Sequence, residues 1–246
     1  MKAQDARPIR TPADAITTIL TRASELTPSE FDQALLTKFR GNLKFLGEIY
    51  TSHVEPFIKM VEGAPTLLNK AREIQELLTD LDQDGLVPAG LDLESLFTLT
   101  TERAMMRHQA AIAAAPTDAF DDKDHRRAFP KLVKMYAHLY ETTIGEKLAP
   151  VAQLVRGGPA PRNKAKILEV VVGYKAGKHA GLLRSFCPAV RNAIQHEDWL
   201  VDNKLPRITF MDGAKPVVTF TLPGFKAVCT DLLQWNIAFD YVLWKR

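Results

Sequence analysis

The chain has 246 residues, of which 46% are hydrophobic and 25% charged, with a formal net charge of +3. These are ordinary values for a globular protein with a sizeable core. No run of about eighteen apolar residues is present, which argues against a membrane span, and the first residues lack the apolar region of a signal peptide. The two cysteines, Cys187 and Cys229, form neither a disulfide framework nor a metal-binding spacing. We therefore expect a cytoplasmic protein with buried, reduced thiols.

The N-terminal half is predicted to be helical. Apolar residues recur at helical spacing from 12 to 26, and Thr27-Pro28-Ser29-Glu30 resembles a capping box that begins a second helix. The same periodicity predicts helices over 66–81 and 91–115, the latter stopped by Pro116.

An acidic, polar segment over 117–124 marks the predicted boundary between an N-terminal helical region, 1–116, and a C-terminal helical domain, 117–246. Residues 126–155 form one amphipathic pattern with a predicted kink near Gly145 or Pro150. Asn163 is then a predicted N-cap.

Two segments imitate ligand-binding loops. Asp80 to Gly85 begins like a calcium loop, but Leu91 stands where a bidentate acid is required, so a polar turn is the better interpretation. Gly173 to His179 resembles a phosphate loop, but His179 replaces the hydroxyl residue and the glycine spacing is one short. These glycines are expected instead to loosen a helix or to bring two helices close.

The last forty residues predict a hairpin and a helix. Strand-like alternation on both sides of Asp212-Gly213 predicts a β-hairpin near 207–221, with a turn lengthened by the three residues that follow. A final helix is predicted over 223–244. The fold class is therefore mainly α, with one small hairpin.

Three polar residues lie within an apolar helical run over 189–198. Asn192 and His196 are i, i+4 neighbours on one helical face, and Arg191 is long enough to reach over that face. An imidazole that exchanges protons near neutrality, a fixed cation and an amide suit phosphodiester chemistry.

At these residues the chain resembles the HEPN superfamily (higher eukaryotes and prokaryotes nucleotide-binding), in which an arginine precedes a histidine by four to six residues and a polar residue often follows the arginine. The resemblance implies an up-and-down helical bundle and a metal-independent endoribonuclease of the toxin, abortive-infection or antiviral kind. It also implies a homodimer that builds one composite site, with an antitoxin or regulatory protein as a possible further partner.

On this hypothesis Arg191, Asn192 and His196 are catalytic, and no metal or other cofactor is needed. His196 exchanges protons with the substrate's 2′-hydroxyl and leaving oxygen, Arg191 stabilises the phosphate, and Asn192 holds the geometry.

The net charge of +3 is too small to identify a nucleic-acid-binding protein, but residues 156–207 are net +6 and the remainder net −3, and a basic window around the motif is what attraction of phosphate requires. Lys175, Lys178 and Arg184 are candidate substrate-binding residues, although a solvated helix face explains any one lysine equally well.

Two alternatives stay open. The same superfamily contains members that bind nucleotides, RNA or partners without cleaving, so the trio could be a helix-end hydrogen-bond network. The chain could also be a helical protein-interaction module, which predicts no salt-dependent RNA binding.

Overall fold

The computed structural model describes residues 55–88 and 118–245. The helices predicted before residue 55 and over 91–115, and the proposed boundary at 116, lie outside these ranges. The described part is mainly helical, with one three-stranded antiparallel sheet. None of its helices has the length and apolar character to cross a bilayer.

Eight α-helices are described, in the order α1 (Glu55–Glu62), α2 (Pro65–Gln83), α3 (Asp118–Asp121), α4 (His125–Thr142), α5 (Ala149–Arg156), α6 (Lys164–Gly173), α7 (Pro188–Gln195) and α8 (Leu222–Lys245). A π-helical turn, Thr143–Leu148, joins α4 to α5, and two 3₁₀ turns, Tyr174–Gly177 and Ala180–Leu183, lie between α6 and α7. The strands are β1 (Trp199–Val201), β2 (Arg207–Asp212) and β3 (Lys215–Thr221).

The helix predicted over 66–81 is confirmed as α2 and the final helix as α8. One apolar stripe of α2 is buried: Leu67, Ala71, Ile74, Leu77, Leu78 and Leu81. This stripe packs against α8, so the described part of the N-terminal region shares one hydrophobic core with the C-terminal part. Helix α2 continues to Gln83, and only Asp84 and Gly85 form the predicted polar turn.

The long amphipathic pattern after residue 125 is helical throughout, as predicted. Its irregularity is the π-helical turn that contains Gly145, and the chain continues as helix to Arg156. The turn places Lys147 in the core, where its ammonium lies 2.7 Å from Asp240 Oδ1 of α8. Asn163 caps α6 as predicted, because its Oδ1 accepts the N–H of Ala165 at 2.8 Å.

The predicted hairpin is confirmed and is part of a larger sheet. Strand β2 lies in the middle, paired with β1 and β3. The turn is shorter than predicted: Asp212 pairs with Lys215, so only Gly213 and Ala214 connect the strands. The alternation of β2 places Ile208 and Phe210 in the core.

Candidate functional site

Arg191 and Asn192 lie on α7, which ends at Gln195, so the helical run predicted over 189–198 is three residues too long and His196 follows as the C-cap. The core anchors the first turn of α7. Cys187 is the N-cap and Pro188 the first helical residue, a position at which no backbone N–H is required. The N–H of Cys187 donates to the Tyr136 hydroxyl of α4 at 2.9 Å. Val190 and Ala193 are buried, so the opposite face of α7 is directed towards solvent.

The histidine of the motif lies at the end of α7. The N–H of Asp198 donates to the Ala193 carbonyl at 2.8 Å, and the N–H of Glu197 to the Ile194 carbonyl at 3.2 Å. With Glu197 at φ +57°, this is a Schellman ending, in which His196 is the C-cap residue. The His196 side chain is exposed, and its imidazole forms no hydrogen bond with any described residue.

Arg191 is partly buried and has three partners. Its Nε donates to Glu141 Oε1 of α4 at 2.5 Å. Its Nη1 donates to Asn192 Oδ1 at 3.3 Å and also to Gln195 Oε1. A guanidinium has five N–H donors, so two, both on Nη2, have no partner among residues 55–88 and 118–245. The side chain is 24% exposed, so a ligand can reach it.

A second cation lies on the same carboxylate. Glu141 Oε2 pairs with the ammonium of Lys164, the first residue of α6. Burial, and then the charge of Arg191, lower the pKa of Lys164. One carboxylate therefore holds two cations, and the trio Glu141, Lys164 and Arg191 has a net charge of +1.

Both predicted substrate-binding lysines, Lys175 and Lys178, lie in a different cluster. Lys178 Nζ is 2.7 Å from Asp80 Oδ2, and Lys175 Nζ is 3.0 Å from Asp84 Oδ1. His179 Nε2 is also 2.8 Å from Asp80 Oδ2. Lys178 and then His179 hold the pKa of the buried Asp80 carboxyl well below its usual range. No hydrogen bond or ion pair in the described ranges links this cluster to Arg191 or His196.

An unusual backbone builds this second cluster. Helix α6 ends at Gly173, and Lys175, Ala176 and Gly177 follow with φ of +48°, +53° and +85°. The glycine-containing segment was expected to loosen a helix or bring two helices close; in the structure it follows the end of α6 and turns the chain in the left-handed region. The turn brings both lysines to the acidic end of α2.

The third predicted substrate-binding residue, Arg184, is exposed and has no ion pair with a described residue. It lines an open cavity of about 530 Å³ together with Lys178 and side chains of α2 and α8. The cavity also contains Lys70, paired with Asp231 at 2.6 Å. Its lining is mixed in charge, because Glu73 and Glu76 face the same space.

In the structure the Arg191 side chain contacts Asn192, and His196 lies about one turn further on, at the end of the helix. Three further residues that the sequence did not single out, Gln195, Glu141 and Lys164, belong to the site. Gln195 could have been found, because it is four residues after Arg191 on the same helix. Glu141 and Lys164 could not, because they come from two other helices and carry no local pattern.

No group of three or more His, Cys, Asp or Glu side chains in the described ranges is arranged to hold a metal ion. Comparisons of the chain with protein-family models, with curated proteins and with solved structures found no match.

Proposed function

We propose that the chain is a metal-independent endoribonuclease of the HEPN kind, acting in a toxin or antiviral defence role. The observation that carries the proposal is the placing of an exposed imidazole, His196, at the end of the helix that also presents a solvent-accessible guanidinium, Arg191. Neither group is sealed in the core, and Arg191, Lys164 and Glu141 together carry a net charge of +1.

The reaction is an attack by the substrate's own 2′-hydroxyl. Neutral imidazole removes the hydroxyl proton while the 2′-oxygen forms a bond to phosphorus. The bond from phosphorus to the 5′-oxygen then breaks, and an imidazolium donates a proton to that leaving oxygen. The products are a 2′,3′-cyclic phosphate and a 5′-hydroxyl. The two N–H donors on Nη2 of Arg191 stabilise the charge on the non-bridging oxygens in the transition state.

Each copy of the chain supplies one imidazole at the end of α7. A general acid and a general base are most easily supplied by two imidazoles. We therefore propose a homodimer in which two copies of α7 meet around one phosphate, as the superfamily resemblance implies. A regulatory partner, such as an antitoxin, is part of the same proposal.

The test is incubation of the purified protein with structured and unstructured RNA in the presence of a chelator. We expect cleavage products that end in a cyclic phosphate, lost in His196→Ala and Arg191→Ala and retained in Arg72→Ala, an exposed arginine of α2. Equal cleavage by wild type and His196→Ala disproves the assignment.

The three partners of Arg191 favour a second candidate, a non-catalytic RNA-binding or protein-interaction module in which the motif is a helix-end hydrogen-bond network. In that case Arg191→Ala lowers the melting temperature while no RNA is cleaved by the wild type. Arg191→Ala loses these contacts on either proposal, so the cleavage assay separates the two, and the melting curve measures what the contacts contribute to stability.

A further inference from the structure

Three helices that are far apart in the sequence meet at Glu141. This residue is in the last turn of α4, Lys164 is the first residue of α6, and Arg191 is in α7. Each cation binds a different carboxylate oxygen: Arg191 Nε binds Oε1 at 2.5 Å, and Lys164 binds Oε2. The carboxylate therefore bridges the two cations.

The bridge is accessible from solvent. The side chains of Lys164, Glu141 and Arg191 are 33%, 34% and 24% exposed. A partly exposed ion pair gains little net free energy, because water competes for both charges. An incoming anion can therefore displace the carboxylate at modest cost, which a fully buried bridge does not allow.

The charge balance favours an incoming anion. One negative charge serves two cations, and the lowered pKa of Lys164 has the charge of Arg191 as one of its causes. A phosphodiester has two non-bridging oxygens, so it can bind an ammonium and a guanidinium at once, as the two carboxylate oxygens do. Arg191 also has two donors on Nη2 that have no partner in the described part of the chain and are available for such a ligand.

We propose that Lys164 and Arg191 form a phosphate-binding pair for the RNA backbone, and that Glu141 occupies this site until a phosphate displaces its carboxylate. The inference rests on the proposed function for the identity of the ligand, an RNA phosphodiester. It assigns to Lys164 direct contact with the substrate, and to Glu141 the role of a competitor for the site.

Binding is measured by fluorescence anisotropy with a labelled single-stranded 2′-O-methyl RNA, which has no free 2′-hydroxyl and so cannot be cleaved by this chemistry. Glu141→Gln keeps an oxygen that can accept from Arg191 but removes the competing charge, so we expect binding about fivefold to tenfold tighter. Lys164→Gln removes one cation, so we expect binding weaker by a similar factor. Both differences shrink as salt is raised.

Two variants control for the change in net charge alone. Asp82→Asn and Lys215→Gln alter exposed side chains of α2 and β3 by the same charge, and we expect affinities within about twofold of wild type. Thermal melts identify any variant that does not fold. Glu141→Ala is the second test of the competitor, since it also removes the carboxylate and predicts the same tightening.

Tighter binding by Glu141→Gln with weaker binding by Lys164→Gln supports the proposal. Weaker or unchanged binding by both Glu141 variants overturns it, because Glu141 then only orients Arg191. The proposal is also overturned if Lys164→Gln binds the RNA as tightly as the wild-type protein does, or if the wild-type protein shows no measurable binding. Cleavage is scored separately with unmodified RNA: if the binding pattern holds and no RNA is cut, the nuclease proposal fails and the phosphate site stands.

Discussion

The Tyr136 hydroxyl of α4 accepts the backbone N–H of Cys187 at 2.9 Å, so a core side chain caps the helix that presents Arg191 and His196. The same hydroxyl lies 3.2 Å from the Ser185 carbonyl and 3.3 Å from the Cys187 carbonyl, to which it can donate. Burial raises the pKa of Tyr136 well above its usual value, so the hydroxyl stays protonated. The position of the candidate site is therefore set from inside the core.

Tyr136→Phe is expected to destabilise the protein by about 1–3 kcal/mol, because the Cys187 N–H loses its partner in a partly buried place. Urea unfolding measures this loss. Tyr140→Phe is the matched control, since the Tyr140 hydroxyl forms no hydrogen bond with a described residue. An equal loss in the two variants contradicts the assigned capping role.

Glu197→Gly is expected to stabilise the protein by about 0.5–1 kcal/mol, because Glu197 has φ of +57° and a side chain in the left-handed region is strained. Glu197→Ala keeps the Cβ atom and the strain, so its stability should match wild type. The measurement is the denaturant midpoint of each variant. Stabilisation by both substitutions would instead point to removal of the charge.

Asp80→Asn is expected to lower the melting temperature by several degrees at neutral pH, because Lys178 and His179 lose their shared carboxylate. Asp82→Asn, an exposed acid of the same helix, should have little effect.

The pH dependence of this effect has a definite sign. The folded state lowers the pKa of Asp80 from the ordinary value of 3.8. The carboxylate therefore stabilises the fold fully above 3.8, and its contribution decreases progressively as the pH falls from 3.8 towards the lowered pKa of the folded state. The difference in melting temperature between wild type and Asp80→Asn should narrow towards pH 3. A difference that stays constant over this range argues against the ion-pair explanation.

Lys147→Met is expected to cost about 3–5 kcal/mol, because it leaves the fully buried Asp240 without its cation. Burial raises the pKa of Asp240 while Lys147 lowers it. The charged form of each side chain is therefore stabilised in the core by the other. The double variant Lys147→Met with Asp240→Leu should recover much of the loss, which a double-mutant cycle in urea measures. Additive losses would show that the two residues are not coupled.

Local patterns predicted much of the helical and hairpin structure. The apolar spacing of α2, the cap at Asn163 and the turn at Gly213 each depend on neighbours within a few residues. The local sequence is therefore enough to predict that these elements form. Strand β1 was missed because it has three residues and exists through its pairing with β2. The predicted length of the hairpin turn was wrong for a similar reason. The pairing of Asp212 with Lys215 across the two strands decides where the turn begins and ends.

The candidate site divides in the same way. Sequence alone determined that Arg191, Asn192 and His196 lie within six residues of one another, but only Arg191 and Asn192 are inside α7, and His196 is its C-cap. Only the tertiary structure decided that Arg191 shares a carboxylate with Lys164, while Lys178 binds Asp80, a residue 98 positions away. The physical reason is that a charged side chain pairs with whatever helix packing brings within a few ångströms, and that packing is decided by the whole core.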